Sequence, residues 1–579
     1  MANTKGDAFV KALPRIYATY TGGFIAFVVL LAIAEQMGMP ARMIGWAFMG
    51  VTILLYAIIG VMSRTTDVSE YYVAGRRVPA VFNGMATGAD WMSAASFIGM
   101  AGSLYNLGYD GLAFVMGWTG GYVLVAVFLA PYLRKFGQFT VPDFLGARYG
   151  GNWARSFGII AAITASFTYV VAQVYGVGII TSRFLEIPFG VGVFVGLAGI
   201  LVCSFLGGMR AVTWTQVAQY IILIIAYMTP VVYLSLKVTG VPIPQLMYGG
   251  VLQQITELEV KMGITKAHVV PFTNTTMWNF MALTFCLMVG TAALPHILMR
   301  YYTTPSVKEA RQSVGWSLFF IFLLYFTAPS YAAFAKLEVY SNLLGSTIAN
   351  LPSWVASWTQ VGLVSIKDLN GDGILQLAEL TLNSDVIVLA TPEIAGMPYV
   401  IGGLVAAGGL AAALSTADGL LLTISNALSH DLYYKMIDPH ASAIRRLTVA
   451  RSMLLVVAVI AAYVASLKLG GILAFVSYAF SIAASAFFPA LVLGIFWKRA
   501  NSQGAVLGMM AGFVVCVYYI LDVGILKLHA PWFFETAAIA AGALGIPLGF
   551  LVIIGVSLVT PEPDKTVQDL VESVRYPRG

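Results

Sequence analysis

One feature recurs from end to end of the chain: apolar runs about as long as a membrane is thick. A helix needs about 20 mostly apolar residues to cross the hydrocarbon core, and about fourteen segments meet that need. They fall at 17–37, 43–63, 79–105, 111–133, 152–184, 189–207, 211–237, 276–301, 309–336, 397–432, 446–468, 471–496, 502–523 and 534–560. Water cannot solvate so much apolar surface. Of the 579 residues, 59% are apolar and only 10% are Asp, Glu, Lys or Arg, whereas a soluble domain is about a quarter charged. The fold class is therefore an all-α membrane protein, embedded in a lipid bilayer as one membrane domain.

The formal net charge of +6 would suit a nucleic-acid binder, but no block of Lys and Arg is interleaved with aromatics. The excess reads instead as loop charge. With the N-terminus inside and the sides alternating, the inner loops carry most of the 32 Lys and Arg. Arg76-Arg77, Arg134-Lys135, Arg445-Arg446 and Lys498-Arg499 are examples. This matches the positive-inside rule and makes both termini cytoplasmic. Two long loops, 240–275 and 341–396, then lie outside. Lys5, Lys11 and Arg15 precede the first run, and Ala32-Ile33-Ala34 resembles a cleavage site. That run is long enough to span, so the first helix is expected to be retained. Cys203, Cys286 and Cys516 all sit in apolar segments and read as buried packing, with no metal or disulfide pattern.

Polar and glycine residues interrupt three of the runs. The third holds Gly84, Gly88, Asp90, Ser93, Ser96, Gly99 and Gly102; the eighth holds Thr284, Gly290, Thr291 and Pro295; the tenth holds Gly408, Gly409, Ser415, Thr416, Asp418 and Gly419. Non-helical backbone at membrane depth survives only where protein or a cavity covers it. Transporters built from inverted repeats put broken helices at equivalent places in the two halves and bind their cargo there. The third and eighth spans have the separation that two five-helix repeats require.

Ala89, Met92, Ser93 and Ser96 share one helix face, as do Ala412, Ser415 and Thr416. Two hydroxyls opposite freed carbonyls would offer about five neutral oxygens to a small hard cation, by analogy with other oxygen-liganded ions. The other reading is hydroxyls bonded back to the preceding turn. Asp90 and Asp418 are carboxylates within spans, where an ionisable group is a functional candidate. Each could carry a proton, balance charge or bind an ion, or be satisfied by backbone N–H groups at a break. A break in Gly290-Thr-Ala-Ala-Leu-Pro-His296 would aim a half-helix N-terminus at the bundle centre, which favours a carboxylate. His296 reads as structural or interfacial, and Arg300 and Tyr301 as interface anchors.

The outer loop contains Asp368-Leu-Asn370-Gly-Asp372-Gly373-Ile374-Leu-Gln376-Leu-Ala-Glu379. It fits the calcium-loop pattern, with side chains of Asp368, Asn370, Asp372 and Glu379 and the carbonyl of Ile374 as ligands. A polar turn could mimic it. No nucleotide-binding, zinc-protease or serine-hydrolase signature is present.

Tyr71-Tyr-Val-Ala-Gly-Arg-Arg, with Gly88-Ala-Asp-Trp-Met-Ser-Ala-Ala-Ser-Phe-Ile-Gly-Met, resembles the first core helix of the sodium/solute symporter family. Ala411-Ala-Ala-Leu-Ser-Thr, running on to His430-Asp-Leu-Tyr, resembles its eighth. The Gly290–Thr303 stretch is similar to the acetate permease, or cation/acetate symporter, branch. The resemblance spans nearly the whole chain. It implies a leucine-transporter-like fold of inverted five-helix repeats. Residues 1–78 would be N-terminal accessory helices, 79–237 the first repeat, and 238–275 an external loop. Residues 276–500 would form the second repeat, carrying the EF-hand-like loop 341–396, and 501–579 the C-terminal helices and a short cytoplasmic tail.

The resemblance also implies sodium held by carbonyls of Ala89, Met92 and Ala412 and hydroxyls of Ser415 and Thr416. Ser93, Ser96, Gly290 and Thr291 become candidate substrate contacts. Ala95 and Ser96 stand where the family's sugar carriers use polar or acidic groups, which argues against a sugar. The calcium-like loop departs from the common family pattern. The expected activity is sodium-coupled symport of a small monocarboxylate such as acetate across the inner membrane, with Asp90 and Asp418 as coupling carboxylates. A symporter of proline or another small solute is the alternative, an enzyme is not expected, and a small two-helix membrane subunit is a conceivable partner.

Overall fold

The structure is a computed structural model that describes residues 2–576 apart from Gln138; residues 2–8, 200, 202, 203 and 206 are described in backbone only. The expected burial of the Cys203 side chain therefore lies outside the described residues, while Cys286 and Cys516 are buried and free.

Among the described residues, 12 helices are long and apolar enough to cross a membrane, against about fourteen segments expected from length and apolarity. The difference has a local cause. The expected spans 79–105 and 111–133 supply one qualifying helix, Ala95–Phe136, because the first is cut just after Trp91. The expected spans 189–207 and 211–237 lie along one continuous helix, Phe189–Thr239, kinked at Gly208.

The chain opens with α1 (Ala2–Gln36) and α2 (Ala41–Met62), which leave much of their apolar surface exposed, as lipid-facing helices do. The interrupted span follows as α3 (Ala80–Trp91) and α4 (Met100–Leu107), then α5 (Leu112–Leu124), α6 (Gly151–Leu185) and α7 (Phe189–Thr239). A second interrupted span is α8 (Met277–Thr291) and α9 (Pro295–Met299), followed by α10 (Val307–Tyr325). The last long elements are α11 (Tyr399–Asn426), α12 (Ala443–Ser466), α13 (Ile472–Phe496), α14 (Ser502–Tyr519) and α15 (Gly542–Val559).

Both breaks have readable causes. Met92 leaves the helix at φ −76, ψ 69, and the backbone donors it strands find other partners. Ala94 N–H donates to Gln173 Oε1 of α6 at 2.8 Å, and Ala95 N–H to Ser93 Oγ at 3.2 Å. A wide turn at Ala95–Gly99 then restarts the helix. In the second break Leu294 is extended and Pro295, lacking an N–H, opens α9. Gly208 kinks α7 at φ 54, ψ −143, a conformation open to glycine.

The centre is α11, every residue of which from Gly402 to Asn426 is buried. It packs along α7 and α6, with α13 on the far side of α6, and α3 lies between α10 and α7. The loop 341–396, expected outside from the charge pattern, carries a small hairpin, β1 (Val364–Ile366) antiparallel to β2 (Leu380–Leu382).

Candidate functional site

The break in α3 meets the middle of α11 through backbone oxygens and two hydroxyls. Ser415 Oγ donates to Ala89 O at 2.7 Å and lies 2.9 Å from Ala412 O. Thr416 Oγ1 donates to Asp90 O at 2.7 Å and lies 3.3 Å from Ala412 O. Met92 is fully buried at the break itself. Ala89, Ala412, Ser415 and Thr416 thus come together in one patch, beside Met92. Back-bonding to the preceding turn and contact across to α3 coexist here, both hydroxyls being shared. The Asp90 carbonyl is an additional oxygen. The one-residue offset that relates Ser415 to Thr416 also relates Ala89 to Asp90, and was a signal for it.

Behind this patch lies a buried ion pair. Arg300 Nε donates to Asp90 Oδ2 at 2.9 Å, and both side chains are 0% exposed. Arg300 also donates to Thr213 at 3.1 Å and to Gln216 Oε1, and Gln216 Nε2 donates to the Ser415 carbonyl at 2.7 Å. The guanidinium is therefore one residue removed from the hydroxyl patch. The expectation that Arg300 and Tyr301 anchor at the interface is corrected: both are fully buried. The break before Pro295 turns the short α9 inward and carries them with it. The sequence signal was an arginine inside an apolar span, a functional candidate on its own terms. Asp418 accepts a hydrogen bond from Ser204 and lies within electrostatic reach of Asp90 and Arg300. The Arg300 guanidinium takes up Asp90 Oδ2 and the Ser204 hydroxyl takes up Asp418 Oδ1.

Ser96 Oγ lies 2.7 Å from the Tyr325 hydroxyl, and Ser93 lies beside the Tyr169 phenol. Thr291 Oγ1 donates to Leu287 O one turn earlier at 2.7 Å, and its side chain rests against Gly121. A Cβ on Gly290 would come within 2.7 Å of the Phe480 carbonyl, so α8 and α13 touch there. The N–H groups of Ala293 and Leu294 both donate to Gly290 O, at 2.9 and 3.0 Å. They are taken up within the turn. His296 is buried edge-on against Tyr169, with ring centroids 5.6 Å apart.

The outer loop folds as a tight acidic turn. Asp368 accepts from Gly371 N–H at 2.7 Å and Gly373 N–H at 3.1 Å, and Glu379 accepts from Leu369 and Gln376 N–H at 2.8 and 2.9 Å. Gly373 takes φ 70, the turn expected at that position. The Ile374 N–H holds the Asp372 carboxyl below its ordinary range. A buried trio that the motifs did not announce, Asp143, His430 and Asp431, joins the 141–149 helix to the C-terminal extension of α11. There Thr140 donates to Asp431, and Arg155 pairs with Asp143 at 3.1 Å.

Comparison with known proteins places this geometry. An uncharacterized symporter of Cupriavidus necator is 46% identical over 98% of this chain and 99% of its own. A monocarboxylic acid transporter of Corynebacterium glutamicum is 27% identical over 83% of this chain and 84% of its own. The fold matches that of a Na+-coupled sialic acid symporter, solved substrate-bound and outward-open, with a TM-score of 0.68 at 18% identity over 90% of this chain and 99% of that one. The family and the fold are those of transporters, not enzymes. With its model matched at residues 71–349 and 368–512, the chain belongs to the sodium:solute symporter family.

Proposed function

We propose that this protein is a sodium-coupled symporter that imports a small monocarboxylate such as acetate by alternating access. The observation that carries the reading is the patch where Ser415 and Thr416 meet the carbonyls of Ala89, Asp90 and Ala412 at the α3 break. Five neutral oxygens on two different elements suit a cation that must be bound and released. Sodium there, with the Met92 carbonyl, would tie α3 to α11. The Asp90–Arg300 pair, with Asp418 within electrostatic reach of both, sets the charge around the cation. The interrupted spans α3–α4 and α8–α9 open two inverted five-helix repeats, 79–237 and 276–500, in a leucine-transporter-like fold. Both termini lie in the cytoplasm and the protein sits in the inner membrane. The monocarboxylate rests on the similarity to the monocarboxylic acid transporter of Corynebacterium glutamicum. Ser93 and Ser96 line the route to it.

In proteoliposomes, labelled acetate is expected to enter only with an inward sodium gradient, with competition from pyruvate and none from proline. Thr416→Ala is expected to abolish sodium-dependent uptake while leaving expression and folding intact. Normal sodium dependence in that variant removes the cation assignment. We also assign a structural calcium ion to the loop Asp368–Glu379. Chelator then lowers the thermal midpoint of the wild type but not of Asp372→Ala, and equal loss in both proteins rejects the ion.

A further inference from the structure

Beside the α3 break lies a set of buried hydrogen-bond donors that the protein leaves without acceptors. Trp118 and Tyr122 stand one turn apart on the same face of α5. Trp91, the last residue of α3, packs edge-on against Tyr122 with centroids 5.0 Å apart and against Phe480 of α13 at 5.4 Å. Trp118 packs against the same Phe480 at 5.9 Å and against Tyr325 at 6.0 Å. All five rings are buried. Trp118 Nε1 and the Tyr122 hydroxyl have no protein partner. Trp91 Nε1 has the Tyr325 hydroxyl as its one neighbouring partner, and that hydroxyl is already shared with Ser96. A buried donor left unmet costs about 1–3 kcal/mol, so the two unmet donors of α5, with Trp91 beside them, indicate an occupant that accepts hydrogen bonds.

The donors also define that occupant. An indole N–H can only donate, and an ionised carboxylate only accepts, so the two match without a proton exchange. The guanidinium of Arg300 is engaged by Asp90, Thr213 and Gln216, which leaves neutral donors for the cargo. Phe480 touches Trp91, Trp118 and Tyr169 at once, the last at 5.8 Å. The turn at Gly290 and Thr291 lies against Phe480 and Gly121 and has its own hydrogen bonds satisfied.

We propose that the carboxylate of the cargo is held by Trp118 Nε1, Trp91 Nε1 and the Tyr122 hydroxyl, and that Phe480 selects short aliphatic acids. This rests on the symporter reading above and moves the carboxylate contacts from Gly290 and Thr291 to α3 and α5. Binding the anion by neutral donors keeps its charge available to the sodium at the neighbouring patch.

The test uses the full-length protein in proteoliposomes with labelled acetate. Tyr122→Phe keeps the ring and deletes one donor; Trp118→Phe deletes one donor and replaces the indole with the smaller phenyl. Each is expected to raise the KM for acetate at least about tenfold, the worth of one hydrogen bond to a charged group, while the sodium half-saturation stays within about twofold. The wild type is expected to reject butyrate and pentanoate, and Phe480→Ala to admit them. Should Trp118→Phe fail to fold, Tyr122→Phe, which loses a single oxygen, decides. An acetate KM within about twofold of wild type in the folded variants overturns the assignment. A wild-type protein that moves no monocarboxylate overturns the reading beneath it, which separates the two failures.

Discussion

Asp90 is the residue on which most of the site's interactions converge. Its carbonyl accepts from Thr416, and its carboxylate meets Arg300 at 2.9 Å. Taking both charges out of water is expensive, so such a pair adds little net stability, yet removing one partner strands the other and costs roughly 3–5 kcal/mol. Asp90→Asn is therefore expected to lower the thermal midpoint strongly in detergent, and Asp90→Asn with Arg300→Gln to recover most of the loss. Strictly additive losses would show the pair to be uncoupled. The residues of this site were unevenly legible. Ser415, Thr416 and Asp90 stood out because hydroxyls and a carboxylate are rare in an apolar run. Arg300 was misread because hydropathy places it near the end of a span, and only the turn at Ala292–Leu294 carries it inside. Trp118 and Tyr122 gave no signal, since aromatics at helical spacing are ordinary core residues until their N–H and O–H groups are seen to lack partners.

The broken span shows the same limit at the scale of an element. Glycines and serines marked 79–105 as breakable, but the register of the break is fixed by Gln173, which takes the Ala94 N–H from α6, 79 residues away in sequence. No local pattern contains that contact. The outer end of the same span meets a second distant group. Asp385, in the short turn Ser384–Val386, is buried against Gly99 and Gly471, and its carboxylate faces the Ile472 N–H at the start of α13 at 3.4 Å. Burial outweighs that hydrogen bond and pushes the carboxyl up to about 6. An unfolded Asp titrates near ~3.9. Between those values the folded protein holds a proton that the unfolded chain has released. Stability therefore falls as pH rises through that window and stays lower above it, by about 3 kcal/mol. Asp385→Asn is expected to remove this slope and to raise the thermal midpoint at pH 7. An unchanged midpoint-versus-pH curve in that variant would contradict it.

Across the whole molecule, the local property was legible and the relational one was not. Apolar length is written in each segment, so the membrane class and most spans follow from the sequence. Which helices touch depends on contacts between distant segments: α7 along α11, or α3 between α10 and α7. The charge ledger of the cycle belongs to this scale as well. Asp90 and Arg300 form an internal ion pair that stays with the protein, and in the proposed cycle only sodium and cargo cross the membrane. One sodium and one monocarboxylate carry no net charge together. A membrane potential then supplies no drive, whereas each further cation would add about 2.3 kcal/mol per 100 mV. Imposing a potassium diffusion potential on proteoliposomes at a fixed sodium gradient is expected to leave the steady accumulation of acetate unchanged. An accumulation that rises about fiftyfold at 100 mV, inside negative, would demand a second cation in the cycle. The two buried carboxylates, Asp90 on Arg300 and Asp418 on Ser204, would then be the first place to look for its path.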